Sequence, residues 1–277
     1  MQSSLTTQLG TLGATQVRFL YGFPFALLFL AAVALVSASP IPRPDAPFLV
    51  FTTAGALAQI MATALMLAAM RVRSFSVATA FTKTEAVQAA LFGLIVLGEQ
   101  LTPLLASAIA IATCGVFLAA VRPGAVWHVA SVRAALHGVA AGGLFAVAAV
   151  GFRGGILALD DGAPFYLRAT TTLVWSLGIQ AALLAAWLWI FRRAALLHSF
   201  VLWRSSIFAG FMGAFASQFW FLAFSLTAAA NVRTLGLVEV LFAQVVSRRL
   251  FEQRLTARET VGMALLLAGV ALLLLEL

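Results

Sequence analysis

Lysine occurs once in this chain, and so does cysteine; tyrosine occurs twice. Charged side chains make up 9% of the 277 residues, hydrophobic ones 63%, and mean hydropathy is +1.05. Soluble domains carry about 25% charged and 45–50% apolar residues, so the shortage of charge excludes a water-soluble fold. A single cysteine, Cys114, excludes an intramolecular disulfide. The formal charge is +8, but sixteen of the seventeen basic residues are Arg, scattered at the ends of apolar runs. With no dense basic tract, nucleic acid is excluded as a partner, and the charge is read as orienting helices in a bilayer. Residues 1–16 lack a basic n-region, so no cleavable signal stands out. His128, His137 and His198 lie far apart, without metal-ligand spacing. H-E-x-x-H, G-x-S-x-G, P-loop and dinucleotide fingerprints are also missing. The chain is therefore read as neither an enzyme nor a metal- or cofactor-binding protein, and not as an ATP-driven pump.

What is present is a series of long apolar runs. Segments of about 17–25 residues are long enough to span a bilayer as helices. Nine are expected: 17–38, 48–70, 75–97, 101–121, 134–157, 164–191, 205–227, 232–250 and 259–277. Alternating barrel patterning is absent, so the fold class is an all-α polytopic membrane protein. The longest link, "RPGAVWHVASVR" (122–133), is the natural midpoint. It separates a first helical repeat, 1–122 with four spans, from a second, 134–277 with five.

The loops divide between two faces. One carries Arg18, Arg71, Arg73, Arg122, Arg133, Arg192, Arg193, Arg204, Arg248, Arg249, Arg254 and Arg258. The other carries Arg43, Arg153, Arg168 and Arg233, with Asp160 and Asp161. Twelve against four makes the first face cytoplasmic.

A register of 154 residues exposes an internal repeat. Glu85 falls on Glu239, Leu101 and Thr102 on Leu255 and Thr256, and Gly115 and Val116 on Gly269 and Val270. In both copies a span with a central Glu leads into an acidic-Gln turn, "LGEQLT" or "FEQRLT", and then a closing span. A weaker echo at 150 pairs Arg18 with Arg168. The matched Glu residues discriminate, because intramembrane Glu is rare. The two Glu-bearing spans start at opposite faces, so the repeats are inverted, an architecture recurrent in transporters with a midplane site.

"KTEAVQAALFGLIVLGEQLTPLLASAIAIATCGVFL" and "LVEVLFAQVVSRRLFEQRLTARETVGMALLLAGVALLL" resemble the closing halves of the two repeats in EamA-like members of the drug/metabolite transporter superfamily. The "RFL" at Arg18 is similar to the start of a repeat's second helix. The resemblance implies ten helices in two five-helix repeats that move small metabolites or toxic compounds. It also places two departures. The first repeat lacks the opening helix, since "MQSSLTTQLGTLGATQV" has no apolar run long enough to cross, and a truncated reading frame or a gap filled by a partner is expected. The family often has Pro where Ala86 and Val240 stand, so straighter helices are expected there.

The candidate site follows from depth and face. Glu85 sits about eleven residues into its span, near the bilayer centre at 1.5 Å per residue. On a regular helix Gln88 and Phe81 share its face, and Phe92 lies one turn along. Lys83 points away from Glu85; Glu239, the other carboxylate at that depth, is its expected counter-ion, with snorkelling the rival. Glu85 and Glu239 either clasp the two halves together or line a solute or proton pathway. If Glu85 lacks a counter-ion, it is the expected proton carrier. Gln59, Gln180, Ser217, Gln218 and Gln244 read as interhelical hydrogen-bonding residues. "GVAAG" (138–142) and "GFRGG" (151–155) read as close-packing stripes.

The expected function is an integral membrane secondary transporter of small organic metabolites, working by alternating access in a bacterial inner membrane. Its partners are a small-molecule substrate and lipid, with a homo-oligomer permitted. The alternative is a non-transporting scaffold or partner subunit. Charge counting puts "SRRLFEQRLTAR" in the cytoplasm, whereas the resemblance implies the opposite orientation. The count decides, because short loops obey it best. In a Cys114-free background, Arg254→Cys should be inert to an impermeant thiol reagent in intact cells and react after permeabilisation. Reaction in intact cells overturns the orientation.

Overall fold

A computed structural model describes residues 2–70, 80–120, 129–201, 203–242 and 256–276. Its helices are α1 (Gln2–Ser37), α2 (Ala46–Met70), α3 (Glu85–Leu97), α4 (Pro103–Ala120), α5 (Val129–Ala158), α6 (Phe165–Phe191), α7 (Arg193–Val201), α8 (Trp203–Leu226), α9 (Ala229–Gly236) and α10 (Ala257–Leu274). Among the described residues there is no strand. Seven segments are long and apolar enough to cross a bilayer, and Pro103–Ala119 is a shorter apolar helix. The protein is a polytopic membrane protein. These eight match eight of the nine expected spans. The ninth, 232–250, starts in α9 and runs into residues outside those described, as do Gln244, His128 and the connection carrying Arg254. The polar lead before Arg18 is helical from Gln2 and continuous with the first span.

Local chemistry fixes the helix ends. The Pro-spaced link after α1 follows Ala38 at φ 49°, and the Asp45 carboxylate accepts from the Phe48 N–H at 2.8 Å to start α2. Gly98, at φ 67°, closes α3 in the left-handed conformation that glycine tolerates best. The closing helix of each repeat is capped by the same matched residue. Thr102 Oγ1 accepts from the Leu105 N–H at 3.0 Å, and Thr256 Oγ1 from the Glu259 N–H at 3.2 Å. At Thr256 the Glu259 carboxylate returns the bond, completing a capping box.

The chain forms two compact units, 1–64 with 151–226 and 65–150 with 227–277. Each draws helices from both sequence repeats. In the first, α1, α6 and α8 pack together. Gln180, fully buried in α6, donates to Gln59 Oε1 of α2 at 2.6 Å, and Gln218 of α8 donates to Thr170 Oγ1 at 2.8 Å. Trp175 packs edge-on against Phe48, and Trp220 lies tilted against Phe224. In the same unit the second small-residue stripe brings Gly151 against the backbone of Gly55, where a Cβ would stand 2.9 Å from Gly55 Cα.

In the second unit α4 and α10 meet along their length. A Cβ on Gly115 would stand 2.5 Å from Leu266 N, and one on Gly269 2.5 Å from Ala112 N. Arg258 donates to the Leu118 carbonyl at one end, and Thr102 to Glu276 at the other. Residue numbers along the interface fall on one helix as they rise on the other, so the pair is antiparallel. The contacts are also self-complementary: Gly115 faces Gly262 while Ala108 faces Gly269, each the other's image in the 154-residue register. Inverted repeats require this, because equivalent helices run in opposite directions. Van der Waals contact between close backbones drives such association where lipid removes the hydrophobic effect. Gly115→Val should therefore lower detergent-solubilised thermal stability, by about 1–3 kcal/mol on overpacking precedent. Leu267→Val, at an exposed position on α10, should leave it nearly unchanged.

Candidate functional site

The expectation of straighter helices at Ala86 and Val240 is overturned. Helix geometry covers 80–82, is broken by a turn at Lys83–Thr84, and restarts at Glu85. It breaks again at Leu237–Val238, after α9, and restarts at Glu239. These breaks coincide in the 154-residue register. Proline is absent from both, and the cause is hydrogen-bond tightening. Lys83 N–H bonds to Ala80 O and Thr84 N–H to Phe81 O, three residues back instead of four. Leu237 and Val238 do the same with Thr234 and Leu235. Such 3₁₀ turns inside a helix mark hinges or strained sequence. Thr84 Oγ1 also donates to the Phe81 carbonyl at 2.7 Å, occupying a backbone group at the break.

Each carboxylate thus opens a new helical segment. Glu85 is the first residue of α3, where the N–H ends of the helix favour negative charge. Its side chain is 9% exposed, and Arg233 Nη1 of α9 lies 3.7 Å from Glu85 Oε2. The condition under which Glu85 is the expected proton carrier, the lack of a counter-ion, is not met, and Arg233, counted among the loop charges, pairs with a buried carboxylate. Arg233 also reaches the Phe145 carbonyl at 3.5 Å and lies 6.0 Å from that ring's centroid. Lys83 hydrogen-bonds to Glu239. That pair is asymmetric: the Lys83 side chain is 13% exposed and Glu239 57%.

The remaining candidates divide. Gln88 donates to Thr84 Oγ1 at 2.9 Å and to the Val139 carbonyl of α5 at 3.2 Å, so it ties α3 to α5. Phe81 precedes the break and packs edge-on against Phe117 of α4, with centroids 4.9 Å apart. The face shared by Phe81, Glu85 and Gln88 on a regular helix is therefore interrupted between Phe81 and Glu85, while Glu85 and Gln88 remain three residues apart on α3. Phe92 is half-buried on α3. The first small-residue stripe brings α5 against the break: a Cβ on Gly142 would stand 2.7 Å from Thr82 O and 3.3 Å from Glu85 N. Sequence reasoning missed Arg233. The repeat register gives it no charged counterpart, since position 79 is Thr, and its place at a span start put it among loop charges. Among the described residues no group of three or more His, Cys, Asp or Glu could hold a metal ion.

Residues 1–121 and 140–275 match the model of the EamA-like transporter family. The chain belongs to that family. No curated protein matches it. Among solved structures 23 chains match. One is a crystal structure described only as a protein, at 15% identity and a TM-score of 0.72, covering 96% of this chain and 89% of that one. At that identity the likeness establishes the fold alone. For this EamA-like chain the site is then two cations and two carboxylates gathered at two repeat-related helix breaks. Its net charge is zero, and one carboxylate is open.

Proposed function

We propose that the chain is a secondary transporter of small organic metabolites, working by alternating access, in the inner membrane of a bacterium. Family membership supports the transporter class. The observation that carries the finer reading is the pair of matched breaks, each followed at once by a Glu on a segment expected to span the membrane. A charge at that depth costs roughly 2.5–3.5 kcal/mol on insertion scales, and irregular backbone is tolerated only inside protein or beside a polar cavity. Breaks in two symmetry-related helices are also places where one repeat can hinge on the other. Glu239, exposed beside Lys83, is the carboxylate available to a solute. Glu85, Lys83, Phe81, Gln88 and Phe92 are candidates to line or shape the pathway.

A scaffold or partner subunit is the second reading. It is favoured by one observation: the charges satisfy one another, and Gln88 and Phe81 are committed to packing contacts. Purified protein reconstituted in liposomes, offered a panel of amino acids and cationic dyes, separates the two. Gradient-driven uptake above protein-free liposomes is expected for at least one solute, with a drop of tenfold or more, on the order of 1.4 kcal/mol, in Glu239→Gln. A folded protein that moves none of the panel supports the scaffold.

A further inference from the structure

Exposure of the four charged side chains is uneven: 57% for Glu239 against 13% for Lys83, 12% for Arg233 and 9% for Glu85. Glu239 is the most exposed of the four. Lys83 and Glu85 stand on either side of Thr84, two residues apart in the chain. The turn at Lys83–Thr84 separates them, so the nearly opposite directions of two residues two apart on a regular helix are not imposed here. The Arg233–Glu85 separation of 3.7 Å exceeds the 2.7–2.9 Å of a charge-assisted hydrogen bond. Arg233 has other places to rest, the Phe145 carbonyl and ring. Lysine carries its charge on a flexible stem with three rotatable donors, while arginine is a planar fork suited to carbonyls and ring faces.

We propose that the two ion pairs exchange partners. A solute's ammonium group takes Glu239, Lys83 transfers to Glu85, and Arg233 withdraws onto Phe145. Arg233 is then a positioning residue that couples the second break to the first. Both carboxylates keep a cation at each stage; the solute's ammonium takes the site from zero to +1, and the displaced guanidinium lies against a carbonyl dipole and a π-face. The alternative, leaving a carboxylate unpaired, is the costly one in a low-dielectric setting. The exchange also explains why two breaks are needed. Lys83 belongs to the first and holds the carboxylate of the second; Arg233 precedes the second and holds the carboxylate of the first. Occupancy at one break is thereby felt at the other.

The solute step rests on the transporter reading; the exchange itself does not, and its test reads stability alone. Arg233→Ala is made in the wild-type chain and in Glu239→Gln, and melting temperatures are measured in detergent. In the wild type the substitution strips Glu85 of its cation, and a drop of several degrees is expected. In Glu239→Gln, Lys83 is already free to serve Glu85, so the drop should be less than half as large. Equal drops in the two backgrounds overturn the exchange. Where Arg233→Ala folds only with Glu239→Gln, that rescue supports it. Where it folds in neither, Arg233→Gln, which keeps a donor for Phe145, is run through the same cycle with the same two outcomes. Ethylammonium chloride probes the solute step: it should raise the melting temperature of the wild type more than that of Glu239→Gln. Equal shifts overturn the solute step alone, since the exchange stands or falls on the double-mutant cycle.

Discussion

The second unit is organised around a charge balance struck where lipid cannot help. Glu85 and Glu239 are each the first residue after a helix break, and each takes its cation from the other repeat's broken helix. The dependence runs both ways. Tightened turns carry the charges to positions where they can cross-pair, and the pairing holds two interrupted helices in register. Glycine is required at one point in this arrangement. α5 can lie over the first break only because Gly142 presents no Cβ to Thr82 O and Glu85 N. Gln88 then fastens the contact through the Val139 carbonyl.

Around this centre the inverted repeat is visible as packing. Antiparallel α4 and α10 place small residues against each other's backbones, with Ala108, Ala112 and Gly115 answering Gly262, Leu266 and Gly269. Thr102 and Thr256 start these two helices by the same side-chain cap. The sequence repeat therefore corresponds to real structural equivalence at the breaks, the caps and the closing helices. The symmetry is incomplete in one functional respect. Glu85 is buried beneath α5, while Glu239 is exposed. Two equivalent carboxylates thus differ in exposure.

Much of this is legible in the residues. Long apolar runs give the helices, and the 154-residue register picks out Glu85 with Glu239, Thr102 with Thr256 and Gly115 with Gly269. The single lysine invites the search for a carboxylate that leads to Glu239. What is not legible has physical causes. Proline is the signal by which a sequence announces a helix break, whereas here three-residue backbone bonds and Thr84 interrupt the helix. The face assignment for Phe81 assumes an unbroken helix and fails across Lys83–Thr84. Arg233 is hidden because charge counting near a span end cannot tell a loop cation from one turned inward. Only tertiary placement next to Glu85 reveals its role.

Lys83 pairs across the breaks with Glu239, and the rest of the charge arrangement follows from that pair. Because Lys83 is the only lysine, carbodiimide coupling offers a direct reading: it joins an amine to a carboxylate only when the two are in contact. After brief treatment in detergent and digestion, mass spectrometry should find an isopeptide between the Lys83 and Glu239 fragments, absent from Glu239→Gln. A product joining Lys83 mainly to Glu85, with Glu239 unlinked, would contradict the pairing.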